Sequence, residues 1–147
     1  MKAHDIMISP VYKVKESDNV EQVIQRFIDH RISGLPVVNE RNEIVGYISD
    51  GDIMRYIGKK DDMFIYTYAV NLNYEEYEDR VKQIMKLNVM SICKKKVITV
   101  SWNEDIEIIA SILGKKQIKK LPVHRNGVLA GIISRGDVIR HSFQSLL

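Results

Sequence analysis

Two short runs hold the residues whose types and spacing invite a ligand: Ser49-Asp50-Gly51-Asp52 and Ser134-Arg135-Gly136-Asp137. In each, a serine precedes an aspartate by three positions, with a glycine directly before the aspartate. A carboxylate only accepts hydrogen bonds, so Asp52 and Asp137 suit a pair of adjacent hydroxyls and repel a phosphate. The hydroxyls of Ser49 and Ser134 can donate to an anion lying near the start of a following helix. Gly51 and Gly136 let the backbone approach a bound molecule closely. A plainer role fits the same spacing, since serine and aspartate at a strand-to-helix junction cap the helix. The two roles can coexist.

Catalysis is a poor fit to these residues. Serine and aspartate need a neighbouring base to become reactive, and none of His4, His30, His124 and His141 is placed in sequence as one. The chain also lacks a phosphate-binding P-loop, a Gly-x-Ser-x-Gly elbow and a His-Glu-x-x-His helix. The four histidines are scattered and Cys93 is the single cysteine, so neither a metal-ligand spacing nor an internal disulfide exists. A binding module, not an enzyme, is expected, with no cofactor required.

The elements that position these runs come from an internal repeat. Leu35-Pro36-Val37-Val38 recurs as Leu121-Pro122-Val123-His124, an offset of 86, and Gly46-Tyr47-Ile48-Ser49 recurs as Gly131-Ile132-Ile133-Ser134, an offset of 85. The residue is lost in the turn between them, where a hairpin tolerates it. Upstream, Val11 to Val14 matches Val97 to Val100, and Val20, Val23, Phe27 and Ile32 match Ile106, Ile109, Leu113 and Ile118. The sequence therefore divides into a first repeat at 1–57, an unrepeated segment with one helix at 58–88, and a second repeat at 89–147.

Each repeat reads as strand, helix, strand, strand, helix, an α/β pattern. Val20, Val23, Ile24, Phe27 and Ile28 recur at helical spacing, with Asp18-x-x-Glu21 as the expected capping box. Ile106, Ile109, Ala110 and Leu113 form the partner face, with Gly114 as the expected stop. Leu35–Val38 and Ile44–Ser49 read as strands, and Asn126-Gly127 is a hairpin signal because both residues tolerate positive φ. One three-stranded sheet with two helices cannot cover both its faces, so the repeats are expected to pack together around a pseudo-twofold axis.

This order of elements, Gly34-Leu35-Pro36-Val37-Val38, and the twofold Gly-x-x-Ser-x-x-Asp motif together resemble the CBS domain, here as a tandem pair covering all but the segment 58–88. The resemblance implies a regulatory module that binds adenosine-containing ligands, AMP-, ADP- or ATP-like or S-adenosylmethionine, in clefts between the repeats. Carried over by position, Asp52 and Asp137 would hold ribose hydroxyls while Ser49 and Ser134 reach ribose or phosphate. Arg31 with His30, and Lys120 with Lys119, are further anion contacts, and Thr99 and Tyr12 would line the base pocket. Because Arg135 replaces Asp50, phosphate is expected at the Ser134/Asp137 site, leaving the Ser49/Asp52 site vacant or tuned to a less anionic ligand. CBS pairs commonly associate as flat homodimers, and with the repeats filling the chain the signal would pass to a separate effector.

Composition agrees with a globular module. Of 147 residues 45% are hydrophobic and 28% charged, and no apolar run approaches the roughly 20 residues that span a bilayer. Without the apolar core of a secretory signal at its start, the chain is expected in the cytoplasm. The net charge of +3 is uneven: residues 1–85 carry 11 Lys/Arg against 15 Asp/Glu, and residues 86–147 carry 11 against 4. The basic half can attract phosphates or nucleic acid. Nucleic acid is the weaker reading, since Lys94-Lys95-Lys96 lacks interleaved aromatics and no helix-turn-helix signal accompanies it. A scaffold with degenerate ligand sites is the stronger rival. Between the repeats, Phe64, Tyr66, Tyr68, Tyr74 and Tyr77 form an aromatic group read either as packing on the pair's own flank or as an interface, ahead of a helix capped by Asn73-x-x-Glu76.

Overall fold

The computed structural model describes residues 1–58, 76–116 and 118–147. The aromatic run at 64–74 and Asn73 lie outside the described residues. The first repeat forms β1 (Val14–Lys15), α2 (Val20–His30), β2 (Gly34–Val38), β3 (Ile44–Ser49) and α3 (Asp50–Ile57). The second forms β4 (Val100–Ser101), α5 (Ile106–Lys115), β5 (Lys120–Arg125), β6 (Val128–Ser134) and α6 (Arg135–Phe143). Two further helices precede the repeats, α1 (Ala3–Ile6) and α4 (Tyr77–Met85). Each sheet has three strands, the first two parallel and the last two an antiparallel hairpin.

Local chemistry explains most boundaries. Asn126 and Gly127 turn the second hairpin at φ 53 and 84, and Asn42 turns the first at φ 61. Three expectations change. The box at the start of α2 is Asn19 with Gln22, whose side chain accepts from the Asn19 backbone N–H at 2.8 Å. Asp18 instead accepts from the Lys15 backbone N–H and shapes the preceding turn. Gly114 lies inside α5, which ends at Lys115 with Lys116 as a right-handed cap, so no left-handed glycine stops it. Ile28 and Ala110 sit off the buried faces: Ile28 is 68% exposed, at the edge of the α2 stripe where solvent begins. Tyr77, from the aromatic group between the repeats, is likewise exposed, while Ile84 of the same helix is buried.

The cores do not follow the sequence repeats. Val14, Val20, Val23, Leu35, Val37 and Ile48 of the first repeat pack with Ile84 and Val89, which lie far along the chain. Val100, Ile109, Leu121, Val123 and Ile133 of the second pack with Ala3 and Ile6 from the first residues. Each fully buried aliphatic side chain contributes roughly 1.5–3 kcal/mol by leaving water. The lead-in to each repeat thus completes the core of the other.

Isolated backbone bridges show the symmetry of this exchange. Lys2 pairs with Asp105 and Asn19 with Asn88; Ile8 pairs with Ile132 and Tyr47 with Lys94. Each of these couples maps onto the other through the repeat offsets. Glu43 pairs with its own equivalent, Val128, which places that contact on the pseudo-twofold axis. Close approach of the lead-ins requires glycine in both sheets. A Cβ on Gly46 would stand 2.9 Å from Cys93 Sγ, and one on Gly131 would stand 2.5 Å from Met7 Sδ. Buried Arg80 on α4 donates from Nε to the Ile57 carbonyl at 2.9 Å, fastening that helix to the end of α3.

Candidate ligand-binding cleft

Both Ser-x-x-Asp runs stand at a strand-to-helix junction, and both aspartates are buried there. The backbone N–H of Ser49 donates to Asp52 Oδ2 at 2.9 Å and that of Ser134 to Asp137 Oδ2 at 2.8 Å. Ser134 Oγ adds a bond to Asp137 Oδ2 at 2.9 Å and accepts from the Asp137 backbone N–H at 3.2 Å. The second carboxylate oxygen of each aspartate meets an arginine one turn on, Arg55 for Asp52 and Arg140 for Asp137. These carboxylates cap their helices and sit in ion pairs. Their remaining lone pairs are those open to a ligand.

Burial by itself would raise the Asp137 carboxyl, but the Ser134 N–H, the Ser134 hydroxyl and Arg140 outweigh it and hold the group below the usual carboxylate range. A folded-state value below the unfolded one, about 3.9 for aspartate, gives stability that is complete above that pH and is lost as pH falls through the folded value. The urea midpoint of the wild type should therefore drop more steeply below about pH 4 than that of Asp137→Asn. Parallel acid limbs would sink this assignment. At neutral pH, Asp137→Ala should cost about 1–3 kcal/mol through the lost hydrogen bonds from the Ser134 backbone N–H and hydroxyl to its carboxylate.

The main cleft, about 420 Å³, opens between the repeats. One wall is the first repeat: Ser33, Gly34, Tyr47, Ser49 and Asp50. The other is the second: Lys94, Lys96, Val97 and Ile98 from the lead-in, with Ile118, Lys119, Lys120 and Pro122 around the start of β5. Tyr47, Val97, Ile98, Ile118 and Pro122 make an apolar interior, and four lysines against one carboxylate make its polar edge strongly positive. Burial, with the Asp50 charge adding to it, pushes the Tyr47 phenol up to about 12, so it remains a neutral donor. A smaller recess of about 230 Å³ lies beyond the same lead-in, lined by Ile44, Lys95, Val97, Thr99, His124 and Gly127.

The sequence-derived residues divide among these places. Ser49 and Lys120, with Lys119, line the main cleft, and Thr99 lines the smaller recess. Asp52, Asp137, Gly51, Gly136, Ser134 and Arg135 line neither. Arg135 donates from Nε to the Leu113 carbonyl at 3.2 Å, toward the end of α5. Arg31 holds the left-handed cap of α2 at φ 52, outside both recesses. Tyr12 stacks on His30, ring centroids 3.8 Å apart. Four lysines thus line the Ser49 cleft, a gathering that Asp50 and Arg135 did not foretell. The comparison of those two residues missed this because Lys94, Lys96, Lys119 and Lys120 belong to the second repeat in sequence and to the Ser49 cleft in space.

Tyr47, Lys94, Lys96 and Ile98 were not singled out from sequence as cleft residues, yet a signal existed. Tyr47 lies two positions before Ser49 on β3, hence on the same face, and Lys94, Lys96 and Ile98 belong to the short lead-in that precedes β4. What the sequence did not supply was the antiparallel bridge that lays this segment beside Tyr47.

The described residues contain no helix long and apolar enough to cross a membrane and no group of side chains suited to a metal. Among curated proteins, the chain is 32% identical over 151 residues to the uncharacterized protein MJ1426 of Methanocaldococcus jannaschii, covering 95% of this chain and 89% of the relative. In three dimensions it is similar to CBSX2 of Arabidopsis thaliana, solved in complex with AMP, at a TM-score of 0.74, 23% identity and coverage of 99% and 98%. MJ1225 of the same archaeon matches at a TM-score of 0.80 and 21% identity, over 99% of this chain and 51% of that one. The model of the CBS domain matches residues 3–59 and 81–143. With two matched segments filling most of its length, each built on the same strand-helix-hairpin-helix plan, the chain belongs to the CBS-domain family as a tandem pair.

Proposed function

We propose that the protein is a regulatory sensor that takes an adenine nucleotide in the cleft beside Ser49 and passes the bound state to a separate effector. The observation that carries this reading is the cleft itself: an apolar interior of nucleoside dimensions, a hydroxyl and a phenol donor on one wall, and lysines at the edge. The AMP complex of CBSX2, a protein of the same fold, supports it. The cleft is walled by both repeats, so a ligand there has unequal affinity for arrangements that bring the walls together or apart, the requirement for a ligand to shift a conformational equilibrium.

One observation favours a scaffold with degenerate sites instead: both aspartates of the repeated motif already serve a helix cap and an arginine. A thermal-shift series with AMP, ADP, ATP and S-adenosylmethionine separates the two. A ligand at 100 times its dissociation constant adds about 2.7 kcal/mol, a rise of several degrees for a chain of this size. No rise with any of them would leave the scaffold as the better reading.

A further inference from the structure

The two lead-ins differ in charge at equivalent positions. Lys94 and Lys96 line the main cleft, and their equivalents one repeat earlier are Ile8 and Pro10. Those two positions in the lead-in to the first repeat therefore carry no cation. Lys119 and Lys120 reinforce the same cleft, and Asp50 is the one carboxylate along its lining. Lys94, Lys96 and Lys119 are solvent-exposed, and none of the four lysines holds an ion pair among the described residues.

We propose that this cleft reads the length of a phosphate chain: it binds one nucleotide per protein chain and prefers triphosphate over diphosphate over monophosphate. The inference rests on the nucleotide-sensing reading above and specifies its ligand. A monophosphate brings about two negative charges and engages part of the lysine set, whereas a triphosphate brings about four and engages the whole of it. Each added phosphate gains a further charge-assisted contact at a partly solvated edge, an increase of roughly three- to tenfold in affinity. Asp50 opposes this attraction, so removing its charge should strengthen binding of the longest chain most. Salt should weaken ATP binding more than AMP binding, because screening acts on exposed charges in proportion to their number.

The test is isothermal titration of the full chain with adenosine, AMP, ADP, ATP and inorganic tripolyphosphate at fixed ionic strength. The same series is run on Lys94→Gln/Lys96→Gln and on Asp50→Asn, with melting in the absence of ligand as a check on folding. The expected result is a ladder rising from AMP to ATP at one site per chain. The ladder should flatten at least tenfold for ATP in the double lysine variant and steepen in Asp50→Asn, with both variants melting near the wild type. Equal affinities for AMP and ATP, or an unchanged ladder in the lysine variant, would overturn the chain-length preference while leaving nucleotide sensing in place. Tripolyphosphate binding as tightly as ATP would overturn the nucleotide reading and keep a polyphosphate site. Silence with every ligand would overturn both.

Discussion

Shortening Ile6 to alanine is expected to destabilise the protein by about 2–5 kcal/mol, as much as removing a central aliphatic from a well-packed core. Position near a chain end argues the other way, since termini ordinarily fray and tolerate change. Ile6 is 2% exposed and packs among Val100, Ile109, Leu121 and Ile133, the centre of the second repeat. The neighbouring backbone is held as well: Ala3 N–H donates to the Glu104 carbonyl at 2.8 Å, and Ile8 and Ile132 exchange bonds of 2.9 and 3.1 Å. The readout is urea unfolding followed by Trp102 fluorescence. Trp102 lies 4.9 Å from the His4 ring and beneath Arg125, and thus reports on α1 at its docking site. A loss below about 1 kcal/mol would mean that α1 is peripheral and that the second core closes without it.

A methyl group on Gly46 should also be damaging. The added Cβ would lie 2.9 Å from Cys93 Sγ and 3.1 Å from the Lys94 carbonyl oxygen, within a backbone bridge that has little room to move. Overpacking of this kind costs about 1–3 kcal/mol. In Gly46→Ala the lead-in is expected to shift away from β3 and to carry Lys94 and Lys96 out of the cleft, so the nucleotide response should fall along with stability. Pairing the change with Cys93→Ala relieves the sulfur contact and should recover part of the loss. A Gly46→Ala protein that melts and binds like the wild type would show that the lead-in is not wedged against the sheet. Gly131→Ala, whose Cβ would stand 2.5, 2.7 and 2.9 Å from Met7 Sδ, Cγ and Cβ, is expected to cost at least as much, because the Met7 Cβ is fixed by its own backbone.

The strands, the hairpin turns and the twofold motif were legible because their causes are local. Asn126-Gly127 adopts positive φ wherever it sits, and alternation in Ile44 to Ser49 already says which residues share a face. The cap of α2 slipped by one residue because Asp18 and Asn19 are both competent caps, and the choice turned on the Lys15 backbone N–H. The crossed cores were not legible. The match between 3–7 and 89–93 is weak in residue type, with Ala3 against Val89 and Met7 against Cys93, although both stretches do the same packing. The cleft was legible as a place between repeats, and Ser49 and Lys120 were named in advance. The lysines at its edge were not legible from the comparison of Asp50 with Arg135, because they belong to the second repeat in sequence and line a cleft with the first in space.

The stretch from Lys94 to Val100 is a strap fastened at both ends. Lys94 is tied to Tyr47 by reciprocal backbone bonds of 2.8 and 2.9 Å, and Val100 pairs with Val123 in the other sheet. Six residue steps reach at most about 22 Å, so the anchors cannot separate beyond that while both ties hold. Opening of the cleft is therefore limited by the strap's reach, and a twist of one sheet relative to the other leaves both ties intact. The strap thus ties both walls of an occupied cleft to both sheets at once, so a shift of either wall is felt in the other.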